Sequence, residues 1–443
     1  MTTYDLVLKG GTVVNHDGEG LRDVGVKDGK IAAIGAIARE AAGEVVDCAG
    51  LHVLPGIIDT QVHFREPGPT HKEDLHTGSK AAVLGGVTAV FEMPNTNPLT
   101  VTADALQDKL DRAAGKKDHA GMYCDHAFFI GGTHDNARDL PELERLPGVC
   151  GVKVFMGAST GDLLVADDDG VRAILENGRR RAAFHSEDEY ILQENKSLRR
   201  AGDWTSHPEA RSVEAARRST ERLLRLARET GRRIHVLHIS TADEIPMLAA
   251  NKDLATCEIL PQHLTLEAPE CYERLKGYAQ MNPPVRDARQ RAALWRAVQE
   301  GVFDVMGTDH APHTREEKDK PYPVSPSGMP GAQTVVAVML THVAEGRLTL
   351  MRFIDLMCHG PQRVFGIAGK GRLAVGYDAD FTVVDLKRTQ AIRDADMATK
   401  SGWTPYDGMT ATGWPVGTII RGRRVMWDGA LTEPPQGAPV AFA

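Results

Sequence analysis

The 443-residue sequence lacks any uninterrupted apolar stretch of about 18 residues, the length that a membrane-spanning helix requires. Residues 1–20 also lack the basic start and the long apolar run that are typical of a signal peptide. Cysteine is scarce: six residues are scattered along the chain, with no CxxC pair. A chain of this size needs no disulfide staples, so we expect reduced thiols in a cytoplasmic protein without membrane contact.

Positive charge is not in excess either, since 52 Lys and Arg residues stand against 60 Asp and Glu residues, a net charge of −8. This balance argues against a nucleic-acid-binding protein and leaves a small molecule as the expected partner. Hydrophobic residues make up 42% of the chain, which excludes a disordered protein and is enough for a large buried core.

Both ends of the chain are typical of short β-strands. Residues 4–15, 23–35 and 44–56 are β-rich runs broken by glycines, and the pair Asp28 and Gly29 is a hairpin-turn signal. A similar pattern returns in residues 371–386 and 413–429. We predict one small β-sandwich domain that is built from residues 1–55 and 371–443.

Residues 56–370 have a different pattern, in which apolar runs alternate with stretches of helical periodicity. The strands of a parallel barrel are buried on both faces and are apolar throughout, so this alternation predicts a (β/α)8 TIM barrel, an α/β fold. The predicted strands are 56–62, 87–93, 122–130, 149–155, 182–185, 234–239, 255–260 and 303–307. The loop 318–331 is rich in Pro and Ser, and we expect it to be mobile or to cover the substrate.

Polar residues lie at or just beyond the carboxyl ends of these strands, where a TIM barrel places its active site. They are His63, Asn95, Lys153, His185, His238, His263 and Asp309. Each one alone has an ordinary structural explanation, but seven at one rim indicate a site. Imidazoles together with a carboxylate suit Zn²⁺ or a similar divalent ion.

Lys153 does not suit a metal site as an ammonium, because a positive charge repels a cation. It is also costly to bury while charged in the apolar run GVKVFMG. Reaction with CO₂ would turn it into a carbamate anion that is able to bridge two metals. The alternative is a salt bridge between an unmodified lysine and a neighbouring acid.

Seven ordered segments resemble the motifs of the dihydroorotases, in the cyclic amidohydrolase branch of the amidohydrolase superfamily. They are LPGIIDTQVHFREPG, EMPNTNP, GVKVFMGAS, AFHSEDE, VLHISTADE, MNPPVR and GTDHAPHT. The resemblance implies a binuclear centre that interconverts L-dihydroorotate and N-carbamoyl-L-aspartate in pyrimidine biosynthesis with a metal-activated hydroxide. It also implies one or two Zn²⁺ ions per chain, an N-carboxylated Lys153 and a homodimer.

The resemblance assigns a role to each candidate metal ligand. Lys153 resembles the bridging lysine. His185 and His238 resemble the ligands of the more exposed metal. His63 and Asp309 resemble the ligands of the more buried metal. Asp309 would also be the general acid/base that carries a proton to the departing ring nitrogen.

One position departs from the family pattern. The usual Asp-x-His-x-His reads DTQVH in residues 59–63, so that Gln61 replaces a histidine ligand. The amide oxygen of Gln61 would coordinate weakly or hydrogen-bond a water. We therefore expect the buried site to hold its metal less tightly, or to be empty.

Arg65 indicates an acidic substrate. It lies two residues beyond His63, so both side chains project from the same side of the strand or its extension. Its planar guanidinium can hold a carboxylate through two hydrogen bonds. The alternative for Arg65 is a salt bridge with Glu66 or Glu73.

The resemblance implies further substrate contacts. They are Asn95 and His313 at the carboxylate, and Asn282, Pro330 and Gly331 at the pyrimidine ring. Asn95 has an alternative as a plain turn residue between two prolines.

Two other classes of function remain open. Allantoinases and hydantoinases or dihydropyrimidinases are sister enzymes, but they lack an arginine where Arg65 stands. The second class is a non-catalytic dihydroorotase-like partner of aspartate carbamoyltransferase, and loss of a ligand at Gln61 is how such a site would begin to decay. Retention of the other metal-type residues argues against that decay.

Overall fold

The computed structural model describes residues 3–159 and 163–443. Within these residues the strands are β1 (Tyr4–Asn15), β2 (Gly18–Lys27), β3 (Lys30–Gly35), β4 (Ala42–Asp47), β5 (His52–Pro55), β6 (Ile57–Val62), β7 (Val87–Glu92), β8 (Asp125–Gly131), β9 (Val149–Phe155), β10 (Ala182–His185), β11 (Ile234–Val236), β12 (Ala255–Ile259), β13 (Val305–Met306), β14 (Phe381–Ala391), β15 (Thr410–Ile420), β16 (Arg423–Trp427) and β17 (Ala430–Leu431).

The helices of the same residues alternate with the middle strands. They are α1 (Leu75–Leu84), α2 (Ala103–Ala113), α3 (Leu140–Leu143), α4 (Asp168–Asn177), α5 (Glu189–Glu194), α6 (His207–Ala210), α7 (Val213–Thr230), α8 (Ile245–Ala250), α9 (Pro261–Thr265), α10 (Glu270–Leu275), α11 (Ala288–Gln299), α12 (Arg315–Lys318), α13 (Val335–Ala344), α14 (Leu350–Ile354) and α15 (Gly360–Phe365). No helix in the described ranges is long and apolar enough to cross a membrane.

Strands β6 to β13 form the TIM barrel that the alternation of apolar runs predicts. They lie in chain order in one eight-stranded sheet of the described residues, and each neighbouring pair is parallel. The segments that follow the first and last barrel strands, β6 and β13, meet where the backbone N–H of His63 donates to the carbonyl of His310 at 2.7 Å. All eight predicted strands are confirmed. They could be recognised because a strand that is buried on both faces is apolar throughout, even when it is short.

Strand β11 is shorter than predicted and ends at Val236 rather than at Ile239. The reason is His238, whose backbone has a φ of 38°. A residue in the left-handed region does not continue a β ladder, so the strand ends before His238.

The helices around the barrel have ordinary local signals, of which α7 is an example. It begins after Ser212, whose hydroxyl accepts from the N–H of Ala215, and it ends at Gly231 in the left-handed region. One face buries Leu223 and Leu226 against the barrel.

The two chain ends form a separate β domain, as predicted. Strands β1 to β5 and β14 to β17 make one nine-stranded sheet, in which β5 pairs antiparallel with β14 and so joins the two ends. Both β4 and β5 pair with β1, along different parts of its length. The domain has its own apolar core, which includes Leu8, Val24, Phe381 and Ile419.

A buried ion cluster ties this domain to the barrel. The Lys370 ammonium lies 2.6 Å from both Asp125, at the start of β8, and Asp380, and 2.9 Å from Asp378. Three carboxylates hold one ammonium, so the pKa of Lys370 is raised. The six cysteines are all buried and free.

Candidate active site

The carboxyl-terminal rim of the barrel brings the predicted residues together. His63 follows β6 directly, Lys153 lies two residues before the end of β9, and His185 is the last residue of β10. His238 and Asp309 follow β11 and β13. All five are buried, and the charge of Lys153 acts on His63, His185 and His238, while Asp309 in turn acts on Lys153.

His63 and Asp309 form the first pair of candidate ligands. The Nε2 atom of His63 lies 3.0 Å from Oδ1 of Asp309, and Nδ1 lies 2.8 Å from Oδ1 of Asn95. If Nδ1 donates to Asn95, the Nε2 lone pair faces the carboxylate, and a proton or a metal cation between them is what makes this contact favourable. Burial lowers the pKa of His63, which favours the neutral imidazole that binds metals.

Gln61 occupies the position of the missing histidine and contacts the same carboxylate. Its Nε2 atom donates to Oδ1 of Asp309 at 3.0 Å, while its buried Oε1 atom has no hydrogen-bonding partner in the described part of the chain. Gln61 therefore orients Asp309. The Oε1 atom of Gln61 is the atom of this side chain that could coordinate a metal ion.

His185 and His238 form the second pair. Nδ1 of His185 lies 3.1 Å from Nε2 of His238, and the Nε2 atom of His185 lies 2.9 Å from a carboxylate oxygen of Glu187. Glu187 also accepts from Arg211. A carboxylate behind a histidine fixes the tautomer whose other nitrogen is a ligand, here Nδ1. Burial lowers the pKa of both histidines.

Lys153 lies among these two pairs without a polar contact. The residue is 0% exposed, and Nζ has no hydrogen-bonding partner among the described residues; it lies 4.3 Å from the centre of the Phe155 ring. The predicted alternative, a salt bridge to a neighbouring acid, is therefore not formed. Burial lowers the pKa of Lys153 to about 7, against the opposing charges of Asp309 and Glu258.

Three residues of the rim have a left-handed backbone, which is costly for side chains other than glycine. They are Arg65 (φ 64°), His238 (φ 38°) and Asp309 (φ 46°). Such conformations are common at functional sites, where the surrounding structure holds a strained backbone and thereby sets the direction of the side chain.

Arg65 extends the rim with a buried cation. Its Nε atom donates to the carbonyl of Pro312 at 3.2 Å, and Nη2 lies 3.2 Å from Nε2 of His313. The alternative partners are engaged elsewhere: Glu66 accepts from Arg112, and Glu73 accepts from Thr77 and Thr399. Burial lowers the pKa of Arg65 to about 10, so the guanidinium stays charged at neutral pH.

The remaining predicted contacts lie on the loops of the same rim. Asn282 has its Oδ1 atom 3.1 Å from Nε2 of His207. Gly331 donates its backbone N–H to Nδ1 of His310 at 3.1 Å, so that the turn of Pro330 and Gly331 is fixed next to Asp309. His263 is buried behind the rim, with Nε2 3.1 Å from the carbonyl of Pro283.

Comparisons with known proteins place this architecture in a family. Residues 194–425 match the model of the amidohydrolase family, and residues 50–119 match a dihydro-orotase-like model. The chain is 35% identical to the dihydroorotase of Methanosarcina acetivorans over 426 residues, which cover 93% of this chain and 89% of that protein.

The chain belongs to the amidohydrolase family. It is also 33% identical to the L-hydantoinase of Paenarthrobacter aurescens over 450 residues, covering 97% of this chain and 96% of that protein. The solved L-hydantoinase (dihydropyrimidinase) from Arthrobacter aurescens superposes with a TM-score of 0.92 at 30% identity, over 99% of both chains. Enzymes of this family are generally metal-dependent.

The rim of this amidohydrolase fits a metal centre by its chemistry. Buried imidazoles whose lowered pKa favours the neutral form, a carboxylate and the partnerless Nζ of Lys153 lie at this rim. Within residues 3–159 and 163–443, however, no three His, Cys, Asp or Glu side chains converge closely enough to hold an ion. The donors instead form two pairs, and Lys153 is the residue whose charge reaches both.

Some residues of the site lie outside the sequence-based prediction. Glu258 is a fully buried carboxylate in β12 that accepts from the backbone N–H of His238 at 3.2 Å. A lone carboxylate inside an otherwise apolar strand was its sequence signal. Arg211 had no such signal, because its contact with Glu187 spans 24 residues of the chain.

Replacing Lys153 tests the cost of burying it. Lys153→Met should stabilise the metal-free protein by several kcal/mol at pH 7, since it removes an unpaired buried ammonium and keeps the apolar volume. Between pH about 7 and 10.5 the unfolded chain binds more protons at Lys153 than the native chain does, so wild-type stability rises with pH there. The advantage of the variant therefore shrinks toward pH 10.5.

The measurement is unfolding of chelator-treated, CO₂-free protein at pH 7 and pH 9.5. Lys252→Met, at a partly exposed lysine that pairs with Asp304, is the control. An advantage for Lys153→Met that is absent at pH 7, or that grows with pH, contradicts the burial account.

Proposed function

We propose that this amidohydrolase is a dihydroorotase that interconverts L-dihydroorotate and N-carbamoyl-L-aspartate. The observation that carries the proposal is Arg65, a buried and charged guanidinium that faces the same rim as the candidate metal ligands. An uncharged cyclic amide has no group that needs this cation, whereas the carboxylate of dihydroorotate does. The curated dihydroorotases that the chain resembles support the same substrate class.

The metal ligands in this proposal are His63, Asp309, His185, His238 and a carboxylated Lys153, with Gln61 as a weak donor. A divalent ion such as Zn²⁺, one or two per chain, would supply an activated water and would polarise the scissile carbonyl. The low pKa of Lys153 supports carboxylation, because the neutral amine is the form that reacts with CO₂.

The protein's own groups then bind, orient and move a proton. Arg65 binds the substrate carboxylate, with His313 beside it, and Asn282 together with the turn at Pro330 and Gly331 holds the ring. Asp309 carries the proton to the ring nitrogen, because its carboxylate lies at the same rim as the candidate metal ligands. Gln61 and His63 both contact Oδ1 of Asp309 and so fix that carboxylate.

The setting of the reaction forms part of the same proposal. A dihydroorotase acts in pyrimidine biosynthesis in the cytoplasm, and we propose a homodimer that can associate with aspartate carbamoyltransferase. The L-hydantoinase relatives make hydantoin hydrolysis the second candidate activity.

The substrate assay separates the two activities. Metal-loaded protein should convert L-dihydroorotate in both directions and should turn over an uncharged hydantoin poorly. Arg65→Gln should raise the KM for L-dihydroorotate roughly 10- to 100-fold, the range expected for losing charged hydrogen bonds. Arg65→Lys keeps the charge without the planar pair of N–H donors, so its KM for L-dihydroorotate should lie between those of wild type and Arg65→Gln.

The control is Arg217→Gln, at a partly exposed arginine of α7 that pairs with Glu214 and Glu221. Efficient hydantoin hydrolysis, with no turnover of L-dihydroorotate under any metal loading, would assign the chain to the sister activity instead.

Gln61 permits a separate test of the metal centre. Gln61→His should increase the amount of metal that purifies with the protein, because an imidazole replaces a weak amide donor. Elemental analysis of the purified variants measures this. Gln262→His is the matched control, since Gln262 is also buried at the rim but donates to the carbonyl of Thr308. Equal metal content in wild type and Gln61→His contradicts the proposed weakening.

A further inference from the structure

Lys318 is a buried lysine to which the proposed reaction assigns no role. It is the last residue of α12 and is 1% exposed. Its Nζ atom donates to three backbone carbonyls: Pro326 at 2.8 Å, Gly328 at 2.9 Å and Gln280 at 3.2 Å. An ammonium has three N–H donors, so these oxygens satisfy it completely.

Burial of this cation is expensive, and no carboxylate is among those three acceptors. A methionine in its place would fill a similar volume without a charge to desolvate, so packing does not explain the lysine. The acceptors instead lie on the loop that we expected to cover the substrate and on the segment that precedes Asn282. The contacts therefore organise backbone at the rim of the barrel.

The two loop carbonyls that Lys318 holds lie on either side of Ser327. Holding these two carbonyls restricts the backbone on both sides of Ser327 and so fixes where the Ser327 carbonyl lies. There it accepts from Nε2 of His313 at 2.9 Å.

His313 is thereby held in one tautomer beside Arg65. Because Nε2 donates to Ser327, Nδ1 is the acceptor, and Nζ of Lys72 lies 3.1 Å from it. Nη2 of Arg65 lies 3.2 Å from the same Nε2 atom, which donates to Ser327 and therefore does not accept from the guanidinium. Burial and the Arg65 charge lower the pKa of His313 to about 3, so the ring stays neutral.

Gly328 shows how close this approach is. Its φ is 142°, and a Cβ atom there would lie 2.3 Å from the carbonyl oxygen of Ala311 and 3.1 Å from the His313 ring. Its N–H donates to the carbonyl of Gln280 at 2.9 Å, which is also an acceptor of Lys318. Lys318 thus connects the His313 side of the rim to the segment that leads to Asn282.

We propose that Lys318 is a positioning residue for the carboxylate side of the substrate site: it fixes residues 326–328 so that Ser327 holds His313 beside Arg65. The substrate part of this inference rests on the proposed function, whereas the loop geometry does not.

Kinetics of Lys318→Met test the substrate part. The variant should raise the KM for L-dihydroorotate about 10-fold, the loss expected when one hydrogen bond from Arg65 to the substrate carboxylate is misaligned, with a much smaller change in kcat. Because Lys318 acts through His313, the double variant with His313→Ala should be little worse than His313→Ala alone. A merely structural lysine would give additive effects, and additivity overturns the proposal.

Hydrogen exchange of the metal-loaded protein tests the loop part without turnover. Peptides that cover residues 320–331 should exchange faster in Lys318→Met and remain as in wild type in Lys252→Met. Unchanged exchange of this loop overturns the proposal, as does faster exchange with an unchanged KM.

Two further outcomes are distinguishable. If wild type does not act on L-dihydroorotate, the proposed function fails, and the exchange result alone decides the role of Lys318 in the loop. If Lys318→Met does not fold, Lys318→Gln, which retains a shorter donor, should show the same changes at smaller size; wild-type kinetics and exchange in Lys318→Gln overturn the proposal.

Discussion

The amino group of Lys153 lies fully buried near the carboxyl end of β9, with no hydrogen-bonding partner among the described residues. A buried cation in that position costs free energy that the apolar strand around it cannot return. Its charge acts on the histidines of both pairs of candidate ligands, and within the described residues no three His, Cys, Asp or Glu side chains form a metal site. A carboxylated Lys153 would remove the unfavourable charge and complete both pairs, so the pKa, the burial and the ligand geometry have one common explanation.

The fold was largely predictable, because its signals are local. Strands that are buried on both faces leave apolar runs, and all eight of the barrel were visible as such. The end of β11 was not predictable, since nothing in the sequence near His238 indicates its left-handed backbone. The pairing of β1 with both β4 and β5 was also not predictable, because it depends on contacts between segments more than 30 residues apart.

The candidate site divides in the same way. Residues at the ends of strands could be predicted, because the barrel itself brings those ends together. The groups that hold them could not: Glu187 with Arg211, Gln61 with Asp309 and Lys318 with the loop all depend on side chains that meet across the fold. Such contacts fix the tautomer of His313 and the orientation of the Asp309 carboxylate. The proposed chemistry depends on both.

The most direct test of the central claim is a high-resolution crystal structure of the metal-loaded protein, with anomalous diffraction collected at the absorption edge of the metal. The account predicts density for a carboxylate on Nζ of Lys153 and an anomalous peak adjacent to both that group and His185. An unmodified Lys153 in protein that is fully active, or a metal bound away from this rim, would contradict it.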